Sequence, residues 1–196
     1  MKKGTIILIC IAGALLLLIG FCISKYNGLV DANAEVEKKW ADVESVYQRR
    51  ADLIPNLVAT VKGYAEHEES TLQAVTDART RATSITIDPA TATPEQMEEW
   101  MAAQDELSGA LGRLIAVAEN YPDLKANQNF LQLQAQLEGT ENRISVERQK
   151  YNEAVKEYNV MVRRFPNNII ASMFNFEQKS MFEANAGAEV APVVEF

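Results

Sequence analysis

From Gly4 to Ser24 the chain carries no charged residue, running through Thr5-Ile-Ile-Leu-Ile-Cys-Ile-Ala-Gly-Ala and Leu15-Leu-Leu-Leu-Ile-Gly-Phe-Cys-Ile. At ~1.5 Å per helical residue this run is about 30 Å long, the thickness of the hydrocarbon core of a bilayer. Lys2, Lys3 and Lys25 bracket it at headgroup depth. The rival reading is a cleaved signal peptide, whose apolar stretch is roughly 7 to 15 residues long and ends in small residues. This run is longer. A cut after Ser24 would use Cys22 and Ser24 as the small positions, with no Ala-x-Ala. A lipoprotein acceptor cysteine needs a small residue before it, but Phe21 precedes Cys22 and Ile9 precedes Cys10. Residues 1–25 therefore read as a retained single-pass anchor, with the lipid bilayer as its partner.

Sidedness rests on lysines that nearly balance: Lys2 and Lys3 with the free amine before the span, Lys25, Lys38 and Lys39 after it. A short basic N-terminus ahead of a long translocated domain leans towards an extracytoplasmic body. The 172 residues after Ser24 suffice for one domain with a real core. Of 19 basic and 27 acidic residues, removing Lys2 and Lys3 leaves 17 against 27, so that body carries −10. Phosphate backbones repel such a body, and nucleic acid is not an expected partner. Cys10 and Cys22 both lie in the apolar run, leaving the body without disulfide, thiolate ligand or cysteine nucleophile.

The body reads as all-α. Between Val30 and Ser84 only Pro55 and Gly63 interrupt good helix formers. Trp40, Tyr47, Ile54, Val61, Glu68, Val75 and Ala82 recur every seven residues, beside a companion row of Val36, Val43, Arg50, Leu57 and Tyr64. This is a coiled-coil-like seam. Pro55 cannot donate to the carbonyl of Ala51, so a kink or break is expected near Asp52 to Pro55. Ile87 to Pro94 is the clearest loop, and Thr93, Pro94 and Gln96 match a capping box that starts the next helix. Met97, Trp100, Leu107, Leu111, Leu114 and Ala118 give that helix its apolar face. After a turn at Asn120-Tyr-Pro-Asp123, the last long helix repeats Phe130, Leu137, Ile144, Tyr151, Tyr158 and Phe165 every seven residues, joined by Leu133, Val155 and Val162. Phe165-Pro166 ends it. Long amphipathic helices with short connections imply an antiparallel bundle of three to four helices over residues 26–182. Past Pro166, Ile169, Ile170, Met173, Phe174, Phe176 and Phe182 suit a short helix docked on the bundle end, and residues 183–196 read as a flexible tail.

Candidate sites are few. His67 is the only histidine, and the partner a zinc peptidase needs four residues on is Thr71. A solvated helix face explains it. Arg50 and Glu68 fall on apolar seam rows near Arg49 and Asp52, so they are expected to pair across helices and fix register; a partner or ligand patch is the second reading. Gly109 and Gly112 lack a phosphate-cradle pattern and read as close helix packing, and Ser108 has no nucleophile elbow. Tyr151 and Tyr158 read as core. The ending Val194-Glu195-Phe196 has the hydrophobic-x-hydrophobic form that strand-adding peptide binders capture.

Several blocks together resemble the LemA family of bacterial membrane proteins. They are Tyr26-Asn-Gly-Leu-Val30, Trp40, Arg49-Arg-Ala-Asp-Leu-Ile-Pro-Asn-Leu-Val58 and Val61-Lys-Gly-Tyr-Ala-Glu-His-Glu68. The second half agrees in order: Leu107-Ser-Gly-Ala-Leu111, Glu119 to Asn127, Leu137 to Ile144, Tyr151-Asn152, Tyr158-Asn159, Phe165-Pro166 and the closing Val194-Glu-Phe196. The resemblance implies one N-terminal membrane helix, a helical body, a bacterial cell and no established enzyme activity or cofactor. The resulting expectation is a non-enzymatic scaffold or adaptor of the cell envelope, with Arg49, Asp52, Val194, Glu195 and Phe196 as partner-binding candidates and protein partners or a homo-oligomer as its company. The alternative is an accessory ligand-binding module with its site near the Arg49 to Pro55 kink.

Overall fold

A computed structural model describes residues 3–65 and 67–183. One helix, α1, runs unbroken from Lys3 to Lys62, about 90 Å at 1.5 Å per residue. Its apolar stretch is solvent-exposed side chain after side chain, from Ile6 to Ile23, and is long and apolar enough to cross a membrane. From Leu29 onwards the same helix enters a core. Val36, Trp40, Val43, Tyr47, Ile54, Leu57 and Val61 are all buried, as the two seven-residue rows require.

Of the kink or break expected at Pro55, the break does not occur; α1 continues through it. The carbonyl of Ala51, which proline leaves without its helical donor, accepts instead from Arg79 Nε at 2.8 Å. A donor from a neighbouring helix thus replaces the lost bond, and the proline ring faces solvent. The chain breaks at Gly63 to Glu68, cutting the seam that sequence spacing carries on to Ala82. There α2 (Glu69–Ser84) folds back along α1, with Leu72, Val75, Ala78 and Ala82 still buried.

Residues 85–93 form the expected loop. Asp88 organises it, its side chain accepting from the Ala90 N–H at 2.9 Å and the Thr91 hydroxyl at 3.2 Å. The capping box then opens α3 (Pro94–Val117): Thr93 Oγ1 accepts from Gln96 N–H at 3.3 Å, and Gln96 Oε1 accepts from Thr93 N–H at 3.0 Å. A 3-10 turn at Ala118–Asn120 and the single turn α4 (Pro122–Lys125) lead to α5 (Gln128–Arg163), capped by the Asn127 side chain. The far end is tied shut by Tyr121 Oη donating to Glu68 at 3.1 Å and by Asn127 donating to Tyr64 Oη at 2.8 Å. Short α6 (Asn167–Met173) follows, packed on α1 and α5.

Helices α1 and α5 run antiparallel, matching Arg50 to Glu141 and Trp40 to Tyr151. The core has two parts. Away from the span it is aliphatic but for Phe130, built from Ile54, Leu57, Val61, Val75, Leu107, Leu114, Phe130 and Leu137. Towards the span it is aromatic, built around Trp40, Tyr47, Trp100, Tyr151, Tyr158 and Phe182. The α5 row holds from Phe130 to Tyr158, but Phe165 is 76% exposed. Because the helix stops at Arg163, the seven-residue rule no longer governs where that ring points. Gly109 and Gly112 are not sites of close packing: a Cβ at Gly112 would meet nothing within 4 Å, and one at Gly109 only the Arg113 side chain.

Candidate peptide-binding site

Beyond α6 the chain turns at Asn175, which adopts a left-handed backbone (φ 57°), a conformation asparagine tolerates better than most residues. It then runs back up the bundle beside α5 without forming a helix. Two asparagines on α5 hold this segment by its backbone. Asn159 Nδ2 donates to the Lys179 carbonyl at 2.9 Å, and its Oδ1 accepts from the Lys179 N–H at 2.8 Å. One heptad earlier, Asn152 repeats the pattern on Phe182, at 2.9 Å to the carbonyl and 2.8 Å from the N–H.

The spacing works because two periodicities coincide. Seven helical residues rise about 10.5 Å, and three extended residues cover about 10 Å. Each side-chain amide therefore meets a backbone amide as a neighbouring β-strand would. Tyr151 Oη donates to the Ser180 carbonyl at 3.2 Å, and Arg148 Nη2 donates to the Glu183 carbonyl at 3.2 Å. Between these bonds Met181 points to solvent. Four of the five residues 179–183 are thus gripped mainly through groups every peptide has, Met181 being the exception.

Two side chains add selectivity. Phe182 fills a socket of aromatic rings: stacked on Trp40 at 5.8 Å, edge-on to Tyr151 at 5.2 Å and beside Trp100 at 6.0 Å, with the Arg148 guanidinium 4.8 Å from its centroid. Lys179, buried, lies 5.5 Å from the Tyr158 ring and donates to the Pro89 carbonyl at 3.3 Å. Burial lowers the Lys179 ammonium below its ordinary value, opposed by Glu37 and Asp88. Burial likewise pushes the Tyr151 phenol up to about 12.

The sequence-derived candidates lie elsewhere. Arg50, 1% exposed, sits between the two core regions as a hub. Its Nη1 donates to Ser108 Oγ at 2.7 Å and Glu141 at 2.8 Å, and its Nη2 to Gln104 Oε1 at 2.6 Å; Gln104 in turn donates to the Ala82 carbonyl at 3.0 Å. One guanidinium thereby links α1, α3 and α5 directly and α2 through Gln104, with Glu141 as the carboxylate of the expected interhelical pair. Its Nε is buried with no acceptor. Arg49 and Asp52 are exposed on α1, Asp52 accepting from Gln48 Nε2 at 2.7 Å. His67 is exposed in the α1 to α2 turn. Val194, Glu195 and Phe196 lie outside the described residues.

Sequence reasoning took Tyr151 and Tyr158 as core, which both are, and missed Asn152, Asn159, Arg148 and Lys179. The available signal was the Tyr-Asn pair repeated at 151–152 and 158–159, where a polar residue beside a buried ring marks the edge of a packed face.

The fold and site define a class: an all-helical bundle on a long apolar N-terminal helix, with a groove that holds an extended segment. The family model described as "LemA family" matches residues 39–196, and the chain belongs to that bacterial family. Among curated relatives, the magnetosome protein MamQ 2 of Paramagnetospirillum magneticum is 26% identical, covering 87% of this chain and 68% of the relative. The magnetosome protein MamQ of Magnetospirillum gryphiswaldense is 24% identical with the same coverage. The protein LemA of Metamycoplasma hominis is 23% identical, covering 83% of this chain and 71% of its own.

Proposed function

We propose that this chain is a membrane-anchored, non-catalytic scaffold whose bundle holds extended protein segments in the Asn152/Asn159 groove. The occupant beyond its own residues 179–183 is the same segment of a second copy. The observation carrying this reading is the pair of two-bond asparagine grips in register with one aromatic socket. Such a site binds chain rather than performing chemistry on it, and at these residues holds no paired nucleophile and base.

Exchange between copies is sterically reasonable. Copies tethered in one membrane share an orientation, so a neighbour's segment approaches its groove in the same direction as the resident one. The six steps between Met173 and Lys179 reach about 20 Å when extended, enough to cross to an adjacent bundle. Exchange of an identical element is a low-cost route to assembly. Retention of the anchor is supported by α1 itself, since cleavage near Ser24 would sever a continuous helix that enters the core five residues later. The body is assigned to the extracytoplasmic side, and the ending Val194-Glu195-Phe196, hydrophobic-x-hydrophobic in sequence, is assigned to further protein partners. A ligand site around Arg49 to Pro55 has less support, because the Arg50 guanidinium is committed to Ser108, Gln104 and Glu141.

The test pairs Ala92→Cys with Ser180→Cys, flanking a 3.4 Å contact, in a chain lacking Cys10 and Cys22. A short bifunctional thiol reagent is applied to native membranes. Each mutation is carried by a separately tagged copy, and crosslinked heterodimers are expected. Crosslinks formed only when both cysteines share one chain would contradict exchange.

A further inference from the structure

The α6 end of the bundle lies at the level where the apolar span ends. Tyr26, two residues past Ser24 on an unbroken helix and so about 3 Å further along its axis, packs edge-on against Phe174 at 4.7 Å and Phe176 at 5.7 Å. Whatever depth the bilayer gives Ser24, the rings beside Tyr26 share to within a side chain's length.

This end is also where the body leaves apolar groups uncovered. Phe165, Ile169, Met173 and Phe174 are 76%, 52%, 72% and 53% exposed. Ile169 and Met173, four residues apart, share one face of α6, while Ile170 and Ala171 supply the buried face. Val30, two turns past the span on α1, is exposed as well. Elsewhere on the described body the exposed large apolar side chains are fewer to a place: Tyr64 and Leu131 at the far end, where Asn127 bonds the Tyr64 hydroxyl, and Val146 midway along α5. Isolated ones are ordinary on a soluble surface; a cluster is not. Exposed Arg163 and Arg164 lead directly into Phe165, and Lys25 sits 5.5 Å from the Phe21 ring at the end of the span. Aromatic and aliphatic groups flanked by Arg and Lys form the pattern of a surface seated in the headgroup region.

We infer that the α6 end is a second membrane contact, a monotopic foot that rests in the interface of the bilayer that α1 crosses. The occupant is the lipid interface itself, because a patch beside the exit of the span meets headgroups before any partner arrives. A second contact point offset from α1 would fix the tilt of the bundle and stop it from swinging about a single helix. The foot rests on α6, which packs on α1 and α5 through its own buried residues; exchange of residues 179–183 would move Phe174 and Phe176 but does not require α6 to leave.

Nitroxide labelling of the full chain in bilayers tests this. In a background with Cys10→Ala and Cys22→Ala, single labels at Ile169→Cys and Met173→Cys are compared with a label at Val146→Cys, which is exposed on α5 far from the span. Vesicles are phosphatidylcholine with a minority of anionic phosphatidylglycerol, and collision rates with oxygen and a water-soluble nickel chelate are read. The labelled sites are exposed, so the fold is retained, and an unchanged urea midpoint certifies it. The expected result is an oxygen-to-nickel ratio at 169 and 173 several-fold above that at 146. Ratios equal to that at 146 would overturn the foot. Shielding from both reagents that grows with protein density in the membrane would also overturn it, in favour of contact between copies.

Discussion

The half of the bundle far from the span, around Leu57, Val61, Leu114 and Phe130, is sealed by helices alone, whereas the half around Trp40 and Tyr151 closes only when residues 179–183 lie in it. In the first, the aliphatic rows of four helices meet each other and the end turns are tied by Tyr121 and Asn127. In the second, α3 and α5 leave a furrow that a non-helical segment fills with one phenylalanine and a line of backbone bonds. A helix-only core is structural by construction. In the proposed exchange this segment lifts away, which would uncover Trp40, Trp100, Tyr151, Tyr158 and the two asparagines for another chain.

Several perturbations would sharpen this contrast, beginning with the hub between the halves. Arg50→Ala removes the buried charge that joins them and leaves Gln104 and Ser108 short of a donor; urea unfolding is expected to lose about 3 kcal/mol, the low end for a broken buried pair because the Glu141 side chain is 44% exposed. An unchanged midpoint would remove the hub from the account. Phe182→Ala empties the aromatic socket, with an expected cost of about 3 kcal/mol. Fluorescence of Trp40 and Trp100 should change, while amide exchange around Leu114 and Phe130 stays as it was. If both halves loosened equally, the division of the core would be wrong.

Smaller effects follow at the backbone grip. Asn152→Ala with Asn159→Ala deletes four hydrogen bonds partly replaced by water, and about 2 kcal/mol is expected from bonds worth ~1 kcal/mol or less each. Its specific mark is faster amide exchange at Lys179 and Phe182 with α5 otherwise protected. Last, the Tyr151 phenol is raised from 10.0 to about 12 in the folded chain. The folded state therefore holds that proton more tightly than the unfolded one. Its stabilising contribution is full below pH 10 and is lost as pH rises through about 12. Tyr151→Phe should flatten that alkaline loss at a cost of about 1 kcal/mol for the bond to Ser180.

Much of the helical framework of both halves was legible in the sequence, because its determinants are local or periodic. The rows from Val36 to Val61 and from Phe130 to Tyr158 state which faces are buried, and Thr93 with Gln96 marks a helix start within four residues. What escaped depends on distant partners. Pro55 signals a break unless Arg79, far along the chain, supplies a donor to Ala51. Arg50 demands a partner, but its carboxylate, Glu141, lies on a helix that spacing alone does not align with α1. Phe165 continues a numerical pattern past the end of the helix that gave it meaning. The segment 179–183 has no period to read, since its hydrogen bonds go to side chains of α5 rather than to its own backbone.

The central claim is that the furrow beside α5 is a binding site for an extended chain and not merely the packing place of residues 179–183. The direct measurement adds a synthetic peptide of residues 176–183 to the full-length Phe182→Ala protein in detergent and follows fluorescence from Trp40 and Trp100. Saturable binding that Asn152→Ala and Asn159→Ala abolish is the predicted result. A peptide that leaves the tryptophan signal unchanged at any concentration, against a protein that remains folded, would contradict the account.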